Sequence, residues 1–460
     1  MCRWTGEASV VALADDLSGA AEVAALLRLP ARLVLDPSGI RAPEGGRAAV
    51  VADLDSRQAE SGTAARAVQT ALAGARAART PRHGQTLWYK KSDSLLRGNP
   101  GAEAVAFAEG AEAVVVAMAL PGAGRVVREG VLYVDGVPLH ESGAWRAEGR
   151  TPPRSVTEAF APLPTAQVPV DAVRQGAGGL AVRLEAVAAD GLHPLCDAET
   201  EADLAAITEA ALSLGPGYRL LGSGGLAAAL GRHLGTGGPG QQAGAGLGPL
   251  TGADAGGAAG GAAGGAVGQQ ERAPATPGPL LVVAGSAEPV VGTQIARLVA
   301  AGARHLPLAL RALAAGGPVP LPPLSSGAVT VVSVDGSRGV RPDQARLLVA
   351  GLARTVAALP GRPDLVLTGG ETARRVLDAV GVTALRPVGE IHHGAVHSRT
   401  DDGRSVVTRP GSFGGPDSLH RIAAALRPRL LSPPGPPPSP SPSAPMPSPS
   451  AAPPRQGVTQ

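Results

Sequence analysis

The chain has 460 residues, with 41 Lys plus Arg against 38 Asp plus Glu, a formal net charge of +3 and 2% aromatic residues. Dispersed arginines on a nearly neutral chain leave no electrostatic footprint for a nucleic acid or an anionic membrane, and so few aromatics leave few stacking platforms for bases. Cys2 and Cys196 lie too far apart in sequence to suggest a disulfide framework, and the longest apolar run, AVVVAMAL at 113–120, is far below the roughly 20 residues of a membrane helix. The expectation is a soluble cytoplasmic protein with no nucleic-acid and no membrane partner.

Length alone allows two or three domains of about 150 residues. In chain order, SVVALAD (9–15), AAVVADLD (48–55), TLWYKK (86–91) and AVVVAMAL (113–120) read as strands, interleaved with helical stretches such as SRQAESGTAARAVQTALAGARA. LHPLCDA and YRLLGS continue the pattern to about residue 234. A Gly/Ala-rich tract over 235–278 has no apolar period and too little side-chain volume to offset ordering entropy. Beyond it PLLVVAGS (279–286), AVTVVSVDG (328–336) and DLVLTGG (364–370) read as strands again, and a Pro/Ser-rich tail over 429–460 reads as disordered. Continuous apolarity argues for parallel strands covered on both faces. The predicted fold is α/β: two α/β domains, 1–234 and 279–428, with mainly parallel sheets and an interdomain cleft.

In open α/β sheets ligands bind beyond the carboxyl ends of the strands. There the first domain places Asp15 and Asp16 of ADDLSGA, then Asp53, Asp55 and Arg57 of DLDSR. KKSDSLLRGN adds Lys90, Lys91, Ser92, Asp93, Ser94, Arg97 and Asn99. Lys90 and Lys91 are the only lysines in the chain, against 39 arginines, and a compact ammonium meets a small oxyanion differently from a planar guanidinium. Carboxylates able to accept an alcohol proton beside cations able to hold a carboxylate or phosphate suit a small polyhydroxy acid. In the second domain the corresponding ends are Gly285 and Ser286, then Thr368, Gly369, Gly370, Glu371 and Thr372, and finally Gly411, Ser412 and Gly414. Glycines that admit close backbone approach, followed by helix starts, suit a nucleotide phosphate, and plain tight turns fit the same residues; neither GxxxxGK[ST] nor GxGxxG is present.

With ADDLSGA, YKKSDSLLRGNPGAE, YVDGVPLHE, GSAEPVVGTQI, TGGETA and PGSFG in this order, over roughly residues 9–425, the chain resembles the four-carbon acid sugar kinases, which phosphorylate threonate, erythronate or 3-oxo-tetronate. The resemblance implies a sugar-acid-binding N-terminal domain, an ATP-binding C-terminal domain and Mg2+. It implies a sugar-acid side at Asp15, Asp16, Arg57, Lys91, Asp93 and Arg97, joined by Lys90 and Ser94, with Asp16, Asp93 and Lys91 as the catalytic candidates. The implied ATP side is Ser286, residues 369–372, Gly411 and Gly414. The base is an Asp among 15, 16 and 93, with Asp16 favoured; no metal ligands are assigned. The chain departs from the family in DDLSGA for DDLTGA, in Ala287 and Glu288 of the GSAEPVVGTQ turn, and in HESGAWRAEGRTPP, which lacks the aspartate of HETEFARDP. These departures keep two alternatives open: a kinase of another small hydroxy acid, and a non-catalytic sugar-acid sensor derived from the kinase. A homo-oligomer is compatible with the sequence, which does not set the oligomeric state.

Overall fold

The structure, a computed structural model, describes residues 8–43, 47–77, 85–146, 148–235, 278–285, 289–335, 344–411 and 414–428. The Gly/Ala-rich tract, apart from its end residues, and the Pro/Ser-rich tail lie outside the described residues, as do Ser286, Ala287, Glu288 and Ser412.

The N-terminal part supplies β1 (Ser9–Ala14), β2 (Ala31–Val34), β3 (Ala49–Asp53), β4 (Thr86–Lys91) and β5 (Ala113–Ala117). Three short strands, β6 (Arg125–Arg128), β7 (Val131–Val134) and β8 (Val137–Pro138), form a separate antiparallel sheet. They are followed by β9 (Thr165–Val168), β10 (His193–Cys196) and β11 (Tyr218–Gly222). The C-terminal part supplies β12 (Leu280–Ala284), β13 (Arg304–Leu308), β14 (Val329–Val334), β15 (Asp364–Thr368), β16 (Ala384–His392), β17 (Ala395–Arg399) and β18 (Ser405–Arg409).

Among the described residues the larger sheet runs β13-β14-β12-β15-β18-β17-β16-β2-β3-β1-β4-β11-β5-β10-β9. It is parallel on both flanks, and β16 and β17 are the antiparallel insert that joins them. The junction is short: Ala384 and Leu385 of β16 face Val34 and Leu33 of β2. Val10 to Ala14 of β1 are fully buried, as are Leu280 to Ala284 of β12, because helices cover both faces. The apolar core is continuous across the junction, with Leu281, Val283, Leu365 and Leu367 in the same cluster as β1 and β4.

The nine strands expected from apolar runs are present. β2, β9, β13, β16, β17 and the small sheet are additional, being short, half-exposed or interrupted by proline, as in the ALRPVGEIH of β16, and so is the buried β18, whose SVVTR holds only two apolar residues. The helix expected to begin near Ser56 begins at Ser61, because residues 56–60 form a loop at the end of β3. The Asn99 amide holds that loop, donating to the carbonyls of Ser56 (3.0 Å) and Ala59 (2.9 Å).

Candidate active site

Strand order reverses direction at β1, with β2 and β3 on one side and β4 on the other, and again at β12, between β14 and β15. Such switch points open crevices at the carboxyl ends of strands. In the N-terminal domain the crevice holds a carboxylate cluster organised by one guanidinium. Arg57 Nε and Nη2 donate to Asp15 Oδ2 (2.7 Å) and Oδ1 (3.0 Å), Nη1 donates to Asp16 Oδ2 (2.7 Å), and Nη2 lies 3.6 Å from Asp93 Oδ1. Gly98, at φ +88°, lets the next loop lie against Arg57: a Cβ there would stand 3.3 Å from Arg57 Cγ. Asp93 in turn receives Arg97 through Nε (2.7 Å) and Nη2 (2.8 Å). Two non-glycine residues of these loops, Asp55 (φ 47°) and Leu96 (φ 59°), hold left-handed backbones, a strain found where a site over-determines its loops.

The three carboxylates differ in proton affinity. Burial pushes Asp15 up, but the Arg57 fork and the Lys90 and Lys91 ammoniums outweigh it and hold Asp15 below its ordinary value. At Asp93 burial is opposed by Arg57 and Arg97, which hold it well below the carboxylate range. Asp16 goes the other way: burial, reinforced by the neighbouring Asp15 charge, outweighs Arg57 and raises it. Asp16 also caps the helix Leu17–Leu26, its Oδ1 accepting from the Gly19 N–H at 2.8 Å.

The two lysines separate in role. Lys90 is fully buried, 2.7 Å from Glu103 Oε2, and Glu103 also accepts from the Ser56 hydroxyl; Lys90, Lys91, Asp93 and Ser94 are all buried and none of them lines the cavity described below. Lys91 runs over Gly19 and is held loosely, 3.5 Å from Glu22 Oε2, with its ammonium donating to the Ser92 carbonyl at 3.0 Å. Ser94 is buried and accepts from Arg125 Nη1.

Facing this cluster is the start of the helix Gly370–Ala379 in the C-terminal domain, preceded by Gly369 at φ +95°. Gly370 approaches so closely that a Cβ would stand 2.7 Å from Asp16 Oδ2 and 3.1 Å from Ser18 Oγ. A cavity of about 370 Å³ lies between the domains, and Asp15, Asp16, Arg57, Arg97, Gly370 and Glu371 reach it. Sequence reasoning missed Glu148, Arg346, Arg374 and Arg375, which also line it. Glu148 comes from the stretch that lacks the family aspartate and lies 3.7 Å from Arg97. The signal for Arg374 and Arg375 was the arginine pair one turn after GGET.

The other glycine loops meet behind Gly370. The Gly369 N–H donates to the Arg409 carbonyl (2.9 Å), and Thr372 packs so closely on Gly285 that a Cβ there would be 2.1 Å from Thr372 Oγ1. Arg409, buried at the end of β18, donates to the Gly411 carbonyl (3.1 Å) and to Ser418 Oγ (2.6 Å). Gly414 lines a separate cavity of about 340 Å³ with His392, His393, Ser418 and Arg421, and its carbonyl accepts from Gln294 (3.0 Å).

Two expected results follow from these contacts. Gly370→Ala introduces a methyl against Asp16 and Ser18 while favouring the helix itself. Activity is expected to fall at least about tenfold with melting temperature unchanged or raised, because misplacement of reacting groups by an ångström costs one to two orders of magnitude. Scanning calorimetry beside a turnover assay checks this. Asp53, fully buried at the end of β3, is raised by burial to about 7, against 3.8 ordinarily, despite Arg374. Folding therefore requires proton uptake at this group between those two values. The stability of the natural chain relative to Asp53→Asn should fall as pH rises from about 4 to about 7 and level off above that, read from urea melts of both proteins.

Carboxylates and cations from one α/β domain, facing a glycine-rich helix start of another across a cavity rimmed by charged residues, suit a small-molecule phosphotransferase. Residues 10–230 match the model of a sugar-binding N-terminal domain, and residues 325–419 match that of a nucleotide-binding C-terminal domain. The chain is 34% identical to a D-threonate kinase of Cupriavidus necator, over 88% of this chain and 95% of that one. It is 31% identical to a 3-oxo-tetronate kinase of the same organism, over 88% and 94%. A solved Haemophilus influenzae structure, 21% identical, shares the fold with a TM-score of 0.64 over 90% of this chain and all of that one. The chain belongs to the four-carbon acid sugar kinase family. No described helix is long and apolar enough to cross a membrane.

Proposed function

We propose that the protein is an ATP-dependent kinase that phosphorylates the terminal hydroxyl of a four-carbon sugar acid, threonate, erythronate or a 3-oxo-tetronate. The observation that carries the reading is the opposition of Asp16, the one carboxyl of its cluster with raised proton affinity, to Gly370 at the start of a helix in the nucleotide-binding domain. Environments that push neighbouring carboxyls apart assign their roles. Asp15 and Asp93 stay ionised and lock Arg57 and Arg97 in place. Asp16 orients the substrate hydroxyl and takes its proton as that oxygen bonds to the γ-phosphorus and the bond from phosphorus to the ADP oxygen breaks.

The helix start at Gly370, which has no side-chain cap, offers backbone N–H donors and a positive dipole to the phosphates, and Gly369 admits their close approach. Ser286, Thr372, Gly411 and Gly414 complete the nucleotide side in this reading. Lys91, buried just behind the cavity wall, meets the acid or the transferring phosphoryl group in this reading, with Arg57, Arg97, Lys90 and Ser94 shaping the acid side. Among the described residues no cluster of three or more His, Cys, Asp or Glu forms a metal cage. Mg2+ commonly takes only one or two carboxylates besides phosphate oxygens, and the Glu371 carboxylate in the cavity fits that need. When bound, the ion would neutralise phosphate charge.

Calorimetric titration tests the pairing of ligands to domains. Mg-ATP is expected to bind with Kd unchanged in Arg97→Met, whereas the acid is expected to bind that variant at least about tenfold more weakly. Loss of ATP binding in Arg97→Met would refute the assignment.

A further inference from the structure

The domains are tied directly across the cavity by a pair of arginines that no substrate-binding argument uses. Arg374 Nη1 donates to Asp53 Oδ2 at 2.9 Å, and Arg375 Nη2 lies 2.9 Å from Asp55 Oδ2. The two ties differ in exposure. Asp53 is wholly buried and Arg374 is 14% exposed, whereas Arg375 and Asp55 are 43% and 32% exposed, so solvent screens the second tie.

Position makes the buried tie informative. Asp53 is the register partner of Ala14 in the parallel pairing of β3 with β1, and Ala14 immediately precedes Asp15 and Asp16. Arg374 stands four residues after Gly370, one turn along the same helix. Two rigid elements thus carry the Asp53–Arg374 bond to the Asp16–Gly370 approach. We infer that Asp53 and Arg374 are positioning residues for phosphoryl transfer, a clasp that sets the nucleotide-side helix start against the base.

Arg374 Nε also donates to both oxygens of Asp378 at 3.0 Å, and Arg375 Nη1 lies 3.6 Å from Asp378 Oδ2. Both arginines therefore also have an acidic partner on their own helix. Apart from Arg374, the Asp53 side chain has only the Asp55 N–H at 3.0 Å among the described residues. Arg346 adds a third, weaker tie to the Gln58 carbonyl at 3.2 Å. Arg374 thus bridges Asp53 and Asp378 at once, with Asp378 holding its guanidinium toward the clasp.

This inference rests on the kinase reading, and its test separates the two. Full-length Arg374→Met, Arg374→Lys, Asp53→Asn and the Asp53→Asn/Arg374→Met double variant would be assayed with Mg-ATP and the tetronates, with kcat expressed per folded molecule. Arg374→Met should lose 10- to 100-fold in kcat with Kd for ATP within threefold of the natural chain. Arg374→Lys should recover part of the loss, and the double variant should be no worse than Arg374→Met. Natural kcat per folded Arg374→Met, or losses that multiply in the double variant, would overturn the clasp. If the natural chain turns over no tetronate, the kinase reading fails and small-angle scattering decides the clasp alone. A larger radius of gyration in Arg374→Met supports it; an unchanged radius in Arg374→Met overturns it.

Discussion

Arg57→Met should be the most destabilising single substitution in the cavity, lowering stability by about 3–5 kcal/mol and kcat/KM by about a hundredfold or more. One guanidinium, 17% exposed, is the shared partner of Asp15, Asp16 and Asp93, whose side chains are 3%, 17% and 7% exposed. Removing it leaves three carboxylates close together with little water. Asp93 keeps Arg97, but Asp15 loses both members of its bidentate pair and its proton affinity must rise. Arg57→Lys should recover little, because an ammonium cannot donate a parallel fork to Asp15 and reach Asp16 at once. Urea melts and steady-state kinetics of both variants check this. Near-natural stability of Arg57→Met would mean the cluster does not depend on that cation.

Asp16→Asn should separate chemistry from stability. The loss of kcat is expected at about 10²- to 10⁴-fold, the usual contribution of a positioned base, with Kd for ATP unchanged. Stability should stay within about 1 kcal/mol, for two opposing reasons. Asparagine caps helices as well as aspartate does, yet its single carbonyl cannot serve both the Gly19 N–H and Arg57. Against that loss, the substitution removes a charge that burial and Asp15 already disfavour. Rapid-quench measurement of the first turnover distinguishes a slowed chemical step from slowed product release. A variant with full turnover and unchanged acid affinity would move the base to another carboxylate.

Much of the site was legible because strand ends can be read. ADDLSGA, DLDSR and KKSDSLLRGN each follow a continuous apolar run, so their polar residues must emerge at one rim, and Asp15, Asp16, Arg57, Asp93 and Arg97 meet there. The two lysines showed where sequence stops. Adjacent strand residues point to opposite faces, so Lys90 and Lys91 could not share one role, yet only packing reveals that Lys90 takes Glu103 as its partner. Arg374 and Asp53 are 321 residues apart, and no local pattern announces a bond between them. Glu148 was hidden by a departure from the expected stretch, which drew notice to a missing aspartate rather than to the acid present. The antiparallel insert of β16 and β17 was missed for a similar reason. Its strands lack the continuous apolarity that marks buried parallel ones, as the burial of β16 shows.

The most direct measurement is coupled ADP release from Mg-ATP with threonate, erythronate, 3-oxo-tetronates and glycerate as acceptors. Turnover on at least one four-carbon acid, exceeding that on glycerate and abolished in Asp16→Asn, is the predicted result. A folded protein that binds ATP yet releases no ADP with any four-carbon acid would contradict the proposed activity.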